Sequence, residues 1–131
     1  MFFISGSAFA YQHSSTDQAF DDSAAAEKNC DGSQLAMNQC EGNIYDHLDQ
    51  RMNELYRQQM MRLGPDSKAA LRDAQRAWIV FRDKTCLYEA GKDARSYMQM
   101  VELMCQADMT RRRIEDLNTY LACTSSGCPS D

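Results

Sequence analysis

The segment MNELYRQQMMRLGPDSKAAL, residues 52–71, sets the architecture of this chain. Leading into it, apolar side chains fall at Met37, Cys40, Ile44, Leu48, Met52, Leu55 and Leu63. Most of these steps are three or four residues, the stripe of an amphipathic helix. Gly64-Pro65 ends that helix, because glycine tolerates a left-handed cap and proline cannot continue the ladder. Gly42 lies inside the pattern and marks either a bend or the true start. Beyond the turn, Asp66 or Ser67 offers an N-cap to a second helix. Its stripe is Leu71, Ala74, Trp78 and Phe81, with Ile79 and Cys86 beside it. Gly91 stops it after Ala90. Residues 97–107 read as helix, with Met98, Val101, Met104 and Cys105 on one side. Thr110 reads as the N-cap of a last helix bearing Ile114, Leu117 and Leu121. No stretch alternates with the period of a half-buried strand. The expected fold is all-α, a small antiparallel bundle of three to four helices over residues 35–123, stapled by disulfides.

Six cysteines, at positions 30, 40, 86, 105, 123 and 128, supply the staples. They contain no CxxC pair, and neither His13 nor His47 lies near enough to complete a zinc pattern. An even count at such spacing in a short chain points to disulfides formed in an oxidising compartment. The tight turn makes the two long helices antiparallel neighbours. Cys40 and Cys86 then sit at about the same height, and the reversal at Gly91 returns Cys105 towards that end. Cys123 falls at the far end, where Cys128 is its natural partner. The remaining four, Cys30, Cys40, Cys86 and Cys105, allow three pairings that sequence cannot settle. Cys86 with Cys105 and Cys30 with Cys40 is the favoured one.

With 131 residues, the chain is about one domain long. Its net charge of −5 argues against nucleic acid, which demands a basic stripe. The charge is uneven: residues 1–54 hold nine acids against two bases, residues 55–131 ten against twelve. An acidic first half suits a basic partner, since complementary fields raise association rate and specificity. Residues 17–31 also read more simply as a solvated acidic leader. Met1-Phe2-Phe3-Ile4 and the A-x-A form of Ala8-Phe9-Ala10 make residues 1–10 read as the remnant of a signal peptide. Residues 11–34, rich in Ser, Asp, Ala and Gln, read as a flexible leader, and residues 124–131 as a short tail. No apolar run reaches the length of a membrane span, and Cys30 follows Glu27-Lys28-Asn29, which is no lipid-attachment context.

No catalytic signature is visible, neither GxSxG nor HExxH. Paired carboxylates can cleave glycosides. Here Asp46, Asp49 and Glu54 follow solvent-facing helical positions, so a solvated face is the better reading. Met98, Met100, Met104 and Met109 invite Cu(I). Methionine at helical spacing is more often core filler, so no metal or cofactor is expected. The densest cluster is Gln75 to Cys86, where Trp78 and Arg82 are four apart and can stack. One reading makes them an exposed aromatic–arginine anchor. The favoured one makes Trp78 core, with Arg82 paired to a carboxylate such as Glu54 or Glu115.

Gln75-x-x-Trp78-x-x-x-Arg82-Asp83-x-x-Cys86 resembles the central motif of the LprI-type lysozyme-inhibitor domain, a family of exported bacterial proteins. Met37-x-x-Cys40 resembles its first-helix cysteine motif, and Asn53 with Leu55-Tyr56 its Asn-x-x-Tyr segment. Cys105 followed by Thr110-x-x-Arg113 and Leu117 resembles its closing pattern. The likeness spans roughly residues 30–121. Met52 stands where the family often has Leu, and Cys123 and Cys128 look like an addition. Without a lipobox, the lipid anchor of some relatives does not carry over. The resemblance implies a disulfide-bonded helical domain that binds and inhibits a cationic lysozyme in the bacterial envelope. The motif residues Asn53, Tyr56, Gln75, Trp78, Arg82, Asp83, Thr110 and Arg113 also have a purely structural reading.

Two function classes follow besides weak Met-based copper binding. One is a periplasmic or secreted lysozyme inhibitor acting by occlusion. Tyr45, Asp46, Asp49 and Glu54, with Tyr56, would form its contact surface. The other is a non-inhibitory interaction module with a different envelope partner. Charge reversal on that surface separates the two.

Overall fold

The computed structural model describes residues 30–91 and 95–129. Residues 1–10, read as a signal remnant, His13 and most of the residues read as an acidic leader lie outside the described residues. The described residues form three long helices: α1 Gln34–Met61, α2 Pro65–Ala90 and α3 Ser96–Ala122. No described helix is long and apolar enough to cross a membrane.

α1 starts where Ser33 caps it: the Ser33 hydroxyl accepts a hydrogen bond from the Ala36 amide at 3.2 Å. Gly42 is neither bend nor start, because the helix runs straight through it. Beyond α1, the Gly64-Pro65 break is real, but its chemistry differs from expectation. Arg62 is the C-cap of α1, and Gly64, extended at φ −78°, is the N-cap of α2. Pro65 opens α2 in place of Asp66 or Ser67. The reason is local: proline pushes the residue before it into extended backbone and is itself preset for a first helical turn. At the other end Gly91 sits at φ +83°, and its N–H caps the carbonyls of Leu87 and Tyr88.

The expected break at Thr110 does not exist. Residues 96–122 form one helix, with Thr110 fully buried inside it. Its hydroxyl donates to the Gln106 carbonyl one turn back, at 2.6 Å. A mid-helix threonine satisfied in this way has no need of a terminus.

Consecutive helices run in opposite directions, so α1 and α3 are parallel. At one end Asn38 donates to the carbonyl and the hydroxyl of Ser96, both at 2.9 Å. At the other, the Arg62 guanidinium donates to the carbonyls of Leu121 and Cys123. α1 packs mainly on α3, and α3 also carries α2. The tight turn therefore does not make α1 and α2 the principal pair. The apolar core is an α1–α3 seam: Ile44, Leu48, Met52 and Leu55 meet Ala107, Ile114 and Leu117.

α2 adds no fully buried side chain to that apolar cluster. Its expected stripe is only partly turned to the core: Ala74 is exposed, Phe81 is 60% exposed and Leu71 is half-buried, while Trp78, half-buried, packs against the apolar cluster. The residues α2 does bury are Gln75, Arg82, Cys86 and Ala90. Two of these four are polar, and none is a large aliphatic side chain, which lowers the hydrophobic driving force, so α2 also draws on polar contacts and on sulfur.

The disulfides are Cys30–Cys40, Cys86–Cys105 and Cys123–Cys128. They follow the favoured pairing, with Cys86–Cys105 joining α2 to α3. Replacing Cys86 and Cys105 by serine opens a constraint between residues 19 apart in sequence. On loop entropy that costs about 3 kcal/mol. Equilibrium denaturation of the double variant should show this loss, and a larger one than opening the 10-residue Cys30–Cys40 link.

Candidate functional site

Along α1, Tyr45, Asp49 and Asn53 recur every four residues and so share one face. α2 supplies Gln75, Trp78, Arg82 and Asp83, and α3 supplies Thr110, Arg113 and Tyr120. Across the gap between the helices these residues build one continuous stack.

Arg82 is at its centre, with only 4% of its surface exposed. Its guanidinium lies 5.2 Å from the Tyr45 ring centre and 5.3 Å from the Trp78 ring centre. Arg113 continues the stack, 5.7 Å from Trp78 and 5.8 Å from Tyr120. Rings and cations therefore alternate within cation–π range from α1 through α2 to α3. The i, i+4 stacking of Trp78 and Arg82 expected from spacing is present.

The edges of the guanidinium groups are satisfied as well. Arg82 Nη1 donates to Asp49 Oδ1 at 3.1 Å and to the Thr110 hydroxyl at 3.3 Å, and its Nε donates to Asp83 Oδ1 at 2.9 Å. Asn53 Nδ2 donates to the other Asp49 oxygen at 3.3 Å. Arg113 Nε donates to Gln75 Oε1 at 2.9 Å, and its Nη1 reaches Asp116 at 3.5 Å. Arg82 thus pairs with Asp49 and Asp83, rather than with the expected Glu54 or Glu115. Glu54 is about 140° around α1 from Asp49, at 100° per residue, and binds Arg51 at 3.1 Å instead. Glu115 is exposed on α3.

Charge and burial pull on this stack in opposite senses. Desolvation pushes the Tyr45 hydroxyl above its usual pKa of 10.0, and the nearby Arg82 cation opposes that rise. Burial works against the Arg82 cation, but the hydrogen bonds to Asp83 and Asp49 help to outweigh it and leave Arg82 more firmly protonated.

Every residue of the family-like motif either joins this network or packs beside it. Asn53, Gln75, Trp78, Arg82, Asp83, Thr110 and Arg113 form the network, and Tyr56 packs against the adjoining core. The proposed contact residues divide. Tyr45 and Asp49 are half-buried and engaged with Arg82, whereas Asp46 and Glu54 are exposed. Tyr120 and Asp116 belong to the site and had no sequence signal of their own, since only packing brings α3 alongside Trp78.

Met52 is core, Met100 Sδ accepts from Gln34 at 3.7 Å, and Met109 Sδ lies 3.7 Å from the Cys86 sulfur of the disulfide. Among the described residues, no three His, Cys, Asp or Glu side chains are grouped to hold a metal. His47 is exposed.

The family model described as "Lysozyme inhibitor LprI" matches residues 24–117, most of the chain and all of the Arg82 stack except Tyr120. The chain belongs to the LprI lysozyme-inhibitor family. An uncharacterized protein of Rhizobium meliloti (strain 1021) is 33% identical over 104 residues, covering 68% of this chain and 74% of that protein. No solved structure matches the chain. The LprI match takes in the first two disulfides and stops before Cys123, so Cys123–Cys128 lies beyond the matched region.

Two measurements check the stack. Arg82→Leu should cost about 2–3 kcal/mol in chemical denaturation, below the usual figure for breaking a buried pair because Asp49 and Asp83 keep some solvent. Arg82→Lys keeps the charge but loses the flat, forked surface, and should cost about 1–2 kcal/mol. The Tyr45 phenol should titrate above 10 by ultraviolet difference absorbance. A folded-state pKa above the unfolded one means that the folded form holds its proton longer. The associated stability is therefore complete below pH 10 and lost as pH rises through the folded pKa.

Proposed function

We propose that this chain is a periplasmic or secreted lysozyme inhibitor that acts by occlusion, without chemistry of its own. The observation carrying this reading is membership of the LprI family across the residues that make up the disulfide-bonded bundle. Three disulfides suit an oxidising compartment outside the cytoplasm, where a muramidase attacks the cell wall.

The contact surface proposed is the outward side of α1. Asp46 and Glu54 are exposed there, and Asp49 keeps about a third of its side chain in solvent. These carboxylates attract a cationic enzyme, while Tyr45 and Tyr56 lie behind them as apolar support. Since Glu54 stands on a different side of α1 from Asp49, Asp46 and Asp49 form the tighter pair. The structural role of the motif residues favours a second reading, a scaffold module for another envelope partner. Such a module would leave lysozyme untouched.

Purified oxidised protein should slow a c-type lysozyme in a cell-wall lysis assay, more strongly at low salt than at physiological salt, because exposed charges are screened. Asp46→Lys combined with Asp49→Asn should weaken inhibition on the order of tenfold. Absence of any slowing at both salt concentrations would remove the inhibitor reading.

A further inference from the structure

The outward side of α2 is unusually apolar for a face turned to solvent. Val80 is 52% exposed, Phe81 60%, Leu87 58% and Tyr88 86%. Ala70 and Ala77 are exposed on the same side. Single exposed apolar residues are ordinary, but several of them along one helix face, here interrupted only by Asp73 and Lys84 within the seam, mark an interaction surface. The spacing of the stripe is itself specific. Ala70, Asp73, Ala77, Val80, Lys84 and Leu87 recur at alternating steps of three and four, the seam of a two-helix coiled coil. All six are exposed, and neither Asp73 nor Lys84 has an ion-pair partner among the described residues.

The seam is complementary to itself when reversed. Let a second α2 lie antiparallel on the first, with the two-fold axis level with the step between Trp78 and Ile79. Ala70 then faces Leu87 of the second copy, Asp73 faces Lys84, and Ala77 faces Val80. The symmetry repeats each pairing once. Small side chains oppose large ones, and the two seam charges oppose each other. The axis crosses near the middle of α2, so almost the whole helix overlaps, about 35 Å at 1.5 Å per residue. Arg76, also without an ion pair, falls beside Asp83 of the second copy on one flank. Phe81 and Tyr88 cover the other flank. Sliding one copy by a heptad sets Asp73 against Ala77, or Lys84 against Val80, which strands a charge on an aliphatic surface. Steric fit and charge thus select the same register.

The geometry points to a homodimer in which the α2 helices of two copies pack antiparallel through this seam. Such a contact is isologous, with each patch meeting its own copy. It uses a face opposite to the Arg82 stack and does not depend on lysozyme binding.

Sedimentation velocity and light scattering on the oxidised full chain, from about 1 to 100 µM, test it. The expected result is a two-chain mass that dissociates on dilution. Leu87→Asp should give a single-chain mass with an unchanged helical spectrum, since the side chain is exposed in the monomer. Asp73→Lys and Lys84→Asp should each weaken the dimer on the order of tenfold, as like charges then face each other twice. The double variant, with the charges exchanged, should restore it. A single-chain mass throughout the range overturns the proposal, including the case in which α2 instead engages lysozyme as a one-to-one complex. A dimer indifferent to Leu87→Asp, or one that the charge exchange fails to rescue, overturns it equally.

Discussion

Two buried arginines hold the second helix in place. α2 presents Gln75, Arg82 and Cys86 to the rest of the protein, so burial of oil alone cannot dock it. Arg82 between Tyr45 and Trp78, and Arg113 between Trp78 and Tyr120, supply the missing attraction. A planar cation between rings keeps both of its faces occupied while its rim stays free for hydrogen bonds. The rim atoms find Asp49, Thr110 and Gln75 only when the three helices are at one height and one rotation. The stack therefore acts as a gauge of register as well as an adhesive.

The work of folding is divided between two seams. α1 and α3 associate in the ordinary way, through Ile44, Leu48, Met52 and Leu55 against Ala107, Ile114 and Leu117. α2 joins by the arginine stack and by the Cys86–Cys105 link. This division goes with large apolar side chains of α2 being left outside: the inward positions are taken by Gln75, Arg82, Cys86 and Ala90. An outer face of that kind suits assembly better than it suits a lone molecule in water.

The residues that resemble the LprI motif lie in this inward network or pack beside it. Arg82 and Arg113 are less than a tenth exposed, and Thr110 is not exposed at all. What these residues specify directly is the mutual placement of three helices. Side chains that the motif leaves open, such as Asp46 and Glu54 of α1, are exposed.

Much of the architecture was legible in the amino-acid order alone. Helical spacing, the Gly64-Pro65 break and Gly91 mark three of the helix ends to within a few residues, because such signals act through the local backbone. Chain reversals place Cys123 beside Cys128, whereas the other four cysteines keep three possible pairings, of which the favoured one is formed. Local rules misplaced what depends on neighbours. Thr110 reads as a helix start, yet a buried hydroxyl can bond to Gln106 and let the helix continue. The stripe of α2 reads as core, yet Phe81 faces water because α1 chose α3 as its principal partner. The choice of Asp49 over Glu54 for Arg82 is of the same kind. It turns on which side of α1 faces α2, a rotation that only the packed helices define.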